Sequence, residues 1–321
     1  MRAVVLGAEG LRFQSDYPVP RPADGDVCVR VLCAGICETD LALVAGYMGF
    51  RGVLGHEFVG IAESGPFRGR RVVGEINCGC GACDWCRRGL GNHCPRRSVI
   101  GILNHDGAFA DSVFVPQDNL HPVPDEIETR EAVFTEPLAA AFQIPAQIPL
   151  ERGQPVVVLG DGRLGNLCAQ VLTKCGCAVT VVGKHDRKLD LLKRLGIKTV
   201  RLEALQRKQF ADVVVDCTGH PTGLATALQL VVPRGTVVLK TTVAGEQTLR
   251  LAPVVIDEVT IVGSRCGPFS TALVALRDQT IDVRSLIDGM YPLEEAERAF
   301  QRARTEPLLK LLFAVDPAAC S

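Results

Sequence analysis

Cys80, Cys83, Cys86 and Cys94 are spaced C-x2-C-x2-C-x7-C. Four thiolates at this pitch can close a tetrahedron around Zn2+, with the short spacers making tight turns. Asp84, Gly89, Gly91 and Pro95 supply the turn chemistry between them. A shell of four thiolates leaves no open position, so a zinc held there is structural. In small zinc modules, such a site contributes roughly 10–16 kcal/mol to local folding. A redox C-x-x-C pair is the rival reading; a third and a fourth cysteine in register favour zinc. Free core cysteines fit poorly beside Asp84, Arg87 and Arg88, and Cys78 reads as a bystander.

A second constellation is dispersed. Cys37 sits in G-I-C-E-T-D, His56 and Glu57 in G-H-E, and Glu136 in T-E-P-L-A. Each alone is weak evidence, since a lone Cys after an apolar strand or a lone His is usually structural. Together they offer one soft, one borderline and two hard donors. Three protein ligands with an open place for water or substrate make a catalytic zinc. Such a zinc polarises an alcohol oxygen and lowers its pKa, preparing the carbon to lose hydride. Asp40 is placed to accept the second ring N–H of His56 and fix its tautomer. The residues leave open whether Glu57 or Glu136 is the third ligand.

The third motif is G-x-G-x-x-G at Gly160, Gly162, Arg163, Leu164 and Gly165. It follows a predicted strand and opens a predicted helix, the context that turns a weak match into a dinucleotide loop. The glycines permit a tight turn and close backbone approach to a pyrophosphate at a helix N-terminus. The end of the second strand ordinarily names the cofactor, because an acid there binds the free ribose hydroxyls of NAD. Here Gly183 stands at that end, followed by Lys184, His185 and Arg187. A small residue beside a cluster of donors predicts NADP(H) as the preferred cofactor, with NAD(H) as the alternative.

These residues must be carried by two kinds of element. The first third of the chain reads as short strands with frequent turns: VVLG, DVCVRVLCAG, EFVGIAE and RRVVGEI. After Glu136 the pattern changes. VVVLG at 156–160 is a fully apolar, β-branched run, as in a buried parallel strand. Leu164, Leu167, Cys168, Val171, Leu172 and Cys175 then follow at helical spacing. Strands at 178–182, 211–217, 235–241 and 259–263 alternate with helical segments, which predicts an α/β unit with a doubly wound parallel sheet. The tail, about 270–321, is expected to return to the first unit. The predicted division is 1–138 with 269–321, and 139–268.

The 321 residues suit about two domains. With 47% hydrophobic and 22% charged residues, global disorder is excluded. The formal charge of -1 points to no nucleic-acid partner. No apolar run suits a membrane span and MRAVVLGAEG lacks the pattern of a secretory signal, so the expected location is cytoplasmic. In that reducing setting, the clustered members of the 14 cysteines read as metal ligands. Cys28, Cys33, Cys168, Cys175, Cys177, Cys217, Cys266 and Cys320 read as core or incidental positions.

GICETD, LGHEFVG, CGACDWC-x7-C, DGAFAD, TEPLAA and VLGDGRLG occur in one order along nearly the whole chain. In this the sequence resembles the zinc-dependent medium-chain dehydrogenases/reductases of the alcohol, sorbitol and threonine dehydrogenase type. The resemblance implies a GroES-like β-rich catalytic domain with two zincs and a Rossmann domain for the cofactor. It implies that Cys37, His56 and Glu57 or Glu136 are the catalytic zinc ligands and that Thr39 passes the substrate proton. It further implies that Thr218, Leu239 and Gly263 line the nicotinamide, and that Lys310 lies near the cofactor phosphates. Glu136 stands where alcohol dehydrogenases of the group have Cys, as in the polyol and threonine enzymes. Ala42 stands where many members carry a proton-relaying His.

The expected activity is zinc-dependent hydride transfer between NADP(H) and a secondary alcohol or polyol. The expected partners are that small-molecule substrate and a second or further copies of the chain, as homodimer or homotetramer. A zinc-independent quinone or enoyl reductase on the same fold is the enzymatic alternative. A non-catalytic zinc or redox-responsive binding protein is the alternative of another class. Met48, Phe50, Trp85 and Phe269 are the pocket walls suggested by position.

Overall fold

The computed structural model describes residues 1–206, 208–242 and 249–320. They divide into two compact units: 1–136 with 272–278 and 286–321, and 137–271 with 279–285. Segment 279–285, expected with the first unit, packs with the second: Gln170 Nε2 donates to the Asp282 carbonyl, and the Asp282 N–H donates to Gln170 Oε1.

The first unit is built on a seven-stranded sheet. Its spine runs 120–122, 71–74, 57–62, 26–35, 310–314 and 287–291, and strand Ser112–Pro116 also pairs with Asp26–Gly35. Strand Asp26–Gly35 alternates at its start and is wholly buried at its end. The change marks where it passes from a half-exposed face to a place covered on both sides. Phe58, Phe109, Phe300 and Phe313 lie in the core, and the Phe109 ring meets Phe313 edge-on at 4.9 Å. Strand Lys310–Ala314 pairs antiparallel with Asp26–Gly35, so the tail does return to this unit.

The second unit holds a six-stranded, all-parallel sheet in the order 198–201, 178–183, 155–159, 211–216, 231–239, 260–263. Numbered along this unit, that is 3-2-1-4-5-6, the dinucleotide-binding order. The Val156–Leu159 run is buried on both faces, as its uninterrupted apolar pattern requires. No described helix is long and apolar enough to cross a membrane.

Candidate active site

Sheet register makes the first constellation. Gly35 pairs with Glu57 across two antiparallel strands. Cys37 lies just beyond one partner and His56 just before the other, so residues distant in sequence meet. Gly55, at φ +98°, turns the chain into His56, and a Cβ there would fall 2.3 Å from the Phe109 ring. Ligand atoms of Cys37, His56 and Glu57 lie within 4.8 Å of one another. Glu136 is not part of that group; it sits in the first turn of helix Thr135–Gln147 and is half-buried.

Asp40 ties the group together. Cys37 caps helix Glu38–Val44, and its N–H donates to Asp40 Oδ2 at 2.8 Å. The other carboxylate oxygen faces His56 Nδ1 at 3.3 Å. Burial pulls the His56 imidazole down, but Asp40 and Cys37 together outweigh it and raise its pKa well above the ordinary value. Thr39 Oγ1 lies 3.8 Å from Cys37 Sγ.

Glu57 has a partner that motif reading assigned elsewhere. The Lys310 ammonium, expected near cofactor phosphates, is buried inside the first unit in an ion pair with Glu57. It also donates to the Ile36 carbonyl at 3.2 Å. Burial pulls Lys310 down to about 8, against the pull of Cys37, Asp40 and Cys33. A fully enclosed ammonium facing a carboxylate has its charge engaged locally, here by Glu57.

The four lobe cysteines also converge. Cys83 Sγ lies 3.5 Å from Cys86 Sγ and 3.7 Å from Cys94 Sγ. A tetrahedron with Zn–S bonds of about 2.3 Å has edges of about 3.8 Å, so the sulfurs stand at the separation that zinc requires. Both donor sets fit the metal: four thiolates close one site, and Cys, His and carboxylate leave the other open. Arg96 donates to Cys80 Sγ at 3.1 Å. Backbone N–H bonds, that of Ala82 foremost, pull the Cys80 thiol down to about 6 against a partial loss of hydration.

The dinucleotide residues gather along one edge. Asp216, Leu239 and Gly263 are register partners at the carboxyl ends of adjacent strands, with Thr218 just beyond Asp216. Gly160 follows the end of strand Pro155–Leu159 and Gly183 ends strand Ala178–Gly183 beside it. Ligands of doubly wound sheets bind at such carboxyl ends. Gly160 adopts φ +110°, and a Cβ on Gly165 would meet the Gly160 carbonyl at 2.0 Å. A Cβ on Gly162 would meet nothing within 4 Å, so the loop keeps an open cradle at the N-terminus of helix Arg163–Lys174. The cradle fits a pyrophosphate.

Residues 23–125 match the alcohol dehydrogenase GroES-like domain and residues 164–278 the zinc-binding dehydrogenase domain. The chain belongs to the zinc-type medium-chain dehydrogenases. It is 29% identical to a sorbitol dehydrogenase of Halalkalibacterium halodurans, over 92% of this chain and 94% of that one. It is 28% identical to an L-threonine 3-dehydrogenase of Anaeromyxobacter sp. (strain K), over 95% and 96%. The alcohol dehydrogenase TADH of Thermus sp. ATN1 superposes with a TM-score of 0.88 at 27% identity, covering 98% of this chain and 99% of that one. As a medium-chain dehydrogenase this chain is an oxidoreductase.

Sequence reading missed Asp161, hidden at a variable position of the glycine motif. Its carboxylate accepts the N–H groups of Lys184 and His185 at 2.7 and 2.6 Å. An acid in that motif beside a strand ending in glycine was the available signal. Among the suggested pocket walls, Phe50 belongs to the core of the first unit. Trp85 is carried on the cysteine lobe, where the Arg88 guanidinium covers its ring at 5.2 Å.

Proposed function

We propose that the chain is a zinc-dependent, NAD(P)-linked dehydrogenase that interconverts a secondary alcohol or polyol with its ketone, with one catalytic and one structural zinc. The observation that carries this reading is the Cys37, His56 and Glu57 group, drawn within 4.8 Å and braced by Asp40. Bound zinc supplies Lewis acidity toward the alcohol oxygen, and bound nicotinamide supplies the hydride acceptor.

The chain's own residues supply the rest. Asp40 engages Nδ1 of His56, so Nε2 is the nitrogen presented for ligation. Glu57 shares its charge with Lys310, which makes it the weaker donor of the three. Glu136 is the carboxylate the sequence offers in its place. Thr39 would accept the proton of the substrate hydroxyl while giving up its own to water, since Ala42 offers no side-chain acceptor for the relay. The alternative zinc-independent reductase has no use for a braced ligand set. Leu251, Val255 and Ile256 are 61%, 76% and 78% exposed near edge strand Thr260–Gly263, which supports the expected homo-oligomer.

The test is turnover of a polyol panel, followed by nicotinamide absorbance, before and after chelation. Activity lost on chelation and restored by zinc supports the reading. Ketone reduction undiminished in metal-stripped protein contradicts it.

A further inference from the structure

The preference for NADP(H) expected from Gly183, Lys184, His185 and Arg187 presumed that the end of strand Ala178–Gly183 carries no acid. The structure places one there from another element. A Cβ built on Gly183 would lie 2.5 Å from both Cβ and Oδ2 of Asp161. The Asp161 carboxylate therefore occupies the space where a side chain at the strand end would begin. The loop is held in place by the Gly160 N–H, which donates to the Val182 carbonyl at 2.8 Å.

We propose that Asp161 is the residue that discriminates between the two dinucleotides, admitting NAD(H) and disfavouring the 2′-phosphate of NADP(H). The proposal rests on the dinucleotide-linked reading above and deepens it. Two effects act in the same direction. The first is occupancy of donors. The backbone N–H groups of Lys184 and His185, leading into helix Asp186–Arg194, are the ready anion donors of this turn. Both already serve Asp161 Oδ2, and His185 Nδ1 stands 3.1 Å from Oδ1.

The second effect is charge. Burial pushes the Asp161 carboxyl up, but the hydrogen bonds from His185 and Lys184 outweigh it and hold it below the ordinary carboxylate range. It is ionised at neutral pH. A phosphate monoester carries close to two negative charges there, and like charges brought together disfavour each other. The cations that would compensate are the exposed Lys184 and Arg187, whose ion pairs in water are worth little, and Arg201, already paired with Asp186 and Glu203. Asp161 is only 7% exposed and is screened much less.

Calorimetric titration of the intact chain with NADH and with NADPH tests this without requiring turnover. The unmutated protein is expected to bind NADH at least about tenfold more tightly, the scale of one charge-assisted hydrogen bond. Asp161→Asn keeps an oxygen for the two N–H groups and removes the charge, and is expected to narrow the gap at least about fivefold, through tighter NADPH binding. Adenosine 5′-monophosphate against adenosine 2′,5′-bisphosphate, on the unmutated chain alone, should repeat the preference without any substitution. Equal or tighter binding of NADPH by the unmutated chain overturns the proposal, as does an unchanged ratio in folded Asp161→Asn. Binding of neither dinucleotide overturns the dinucleotide reading itself and is distinguishable from both.

Discussion

The cysteine lobe gathers four ligands from residues 80–94, between short helical turns at Asp84–Arg87 and Gly91–His93. The catalytic group gathers Cys37, His56 and Glu57 through the pairing of two long strands of the central sheet. The lobe contributes only one fully buried ligand, Cys94, whereas His56 and Glu57 are both buried. The difference lies in what holds each set of ligands. In the lobe, no sheet holds the four converging thiolates; local turns, their N–H groups and the metal oppose the repulsion and entropy of the cluster. At the catalytic group, the sheet, Asp40 and Lys310 hold the ligands whether or not metal is bound. Metal should therefore be a folding element in one site and a reagent in the other.

The largest expected effect falls on chemistry alone. Cys37→Ala should lower hydride transfer by roughly a thousandfold or more, because Lewis-acid stabilisation is worth several kcal/mol. The melting temperature and NADH binding should stay close to those of the unmutated chain. A large drop in melting temperature would show that the catalytic metal also carries the fold.

Next in size is the buried ion pair. Lys310→Met leaves Glu57 charged in the interior and should cost about 3–5 kcal/mol in denaturant unfolding. Adding Glu57→Gln should recover part of that loss. A single variant as stable as the parent would contradict the claim that these two side chains hold each other.

The contiguous motifs were legible in the sequence because their spacing alone fixes their geometry. The four cysteines and the glycine loop depend on local turns, and fully apolar strands alternating with helices announced the parallel sheet. Long-range pairing was not legible in the same way. Lys310 was placed by the family resemblance, and its partner Glu57 is set by a sheet that no motif announces. Asp161 escaped because its partners, the N–H groups of Lys184 and His185, belong to the next strand's turn. Glu57 and Glu136 could not be separated by residue type, since either carboxylate suits zinc; register drew in Glu57.

A smaller effect is expected from the groups that orient ligands. Asp40→Asn should reduce zinc affinity at the catalytic site, or turnover, by about 10–100-fold, because it loosens both Cys37 and His56. Competition with a chromogenic chelator would measure it. At the lobe, Arg96→Ala should do less, under about tenfold. Backbone N–H groups, rather than Arg96, are the main force holding Cys80 near 6. If Arg96→Ala empties the lobe, its thiolates depend on a surface cation more than on their own turn.

Zinc content per chain, measured by elemental mass analysis on three proteins purified in parallel with zinc, bears most directly on the contrast between the sites. The unmutated chain should hold two zincs. Cys37→Ala and Cys83→Ser should each hold one, and limited proteolysis should open residues 78–97 in the second variant only. Two zincs retained in Cys83→Ser, or one variant losing both, would contradict two independently built sites.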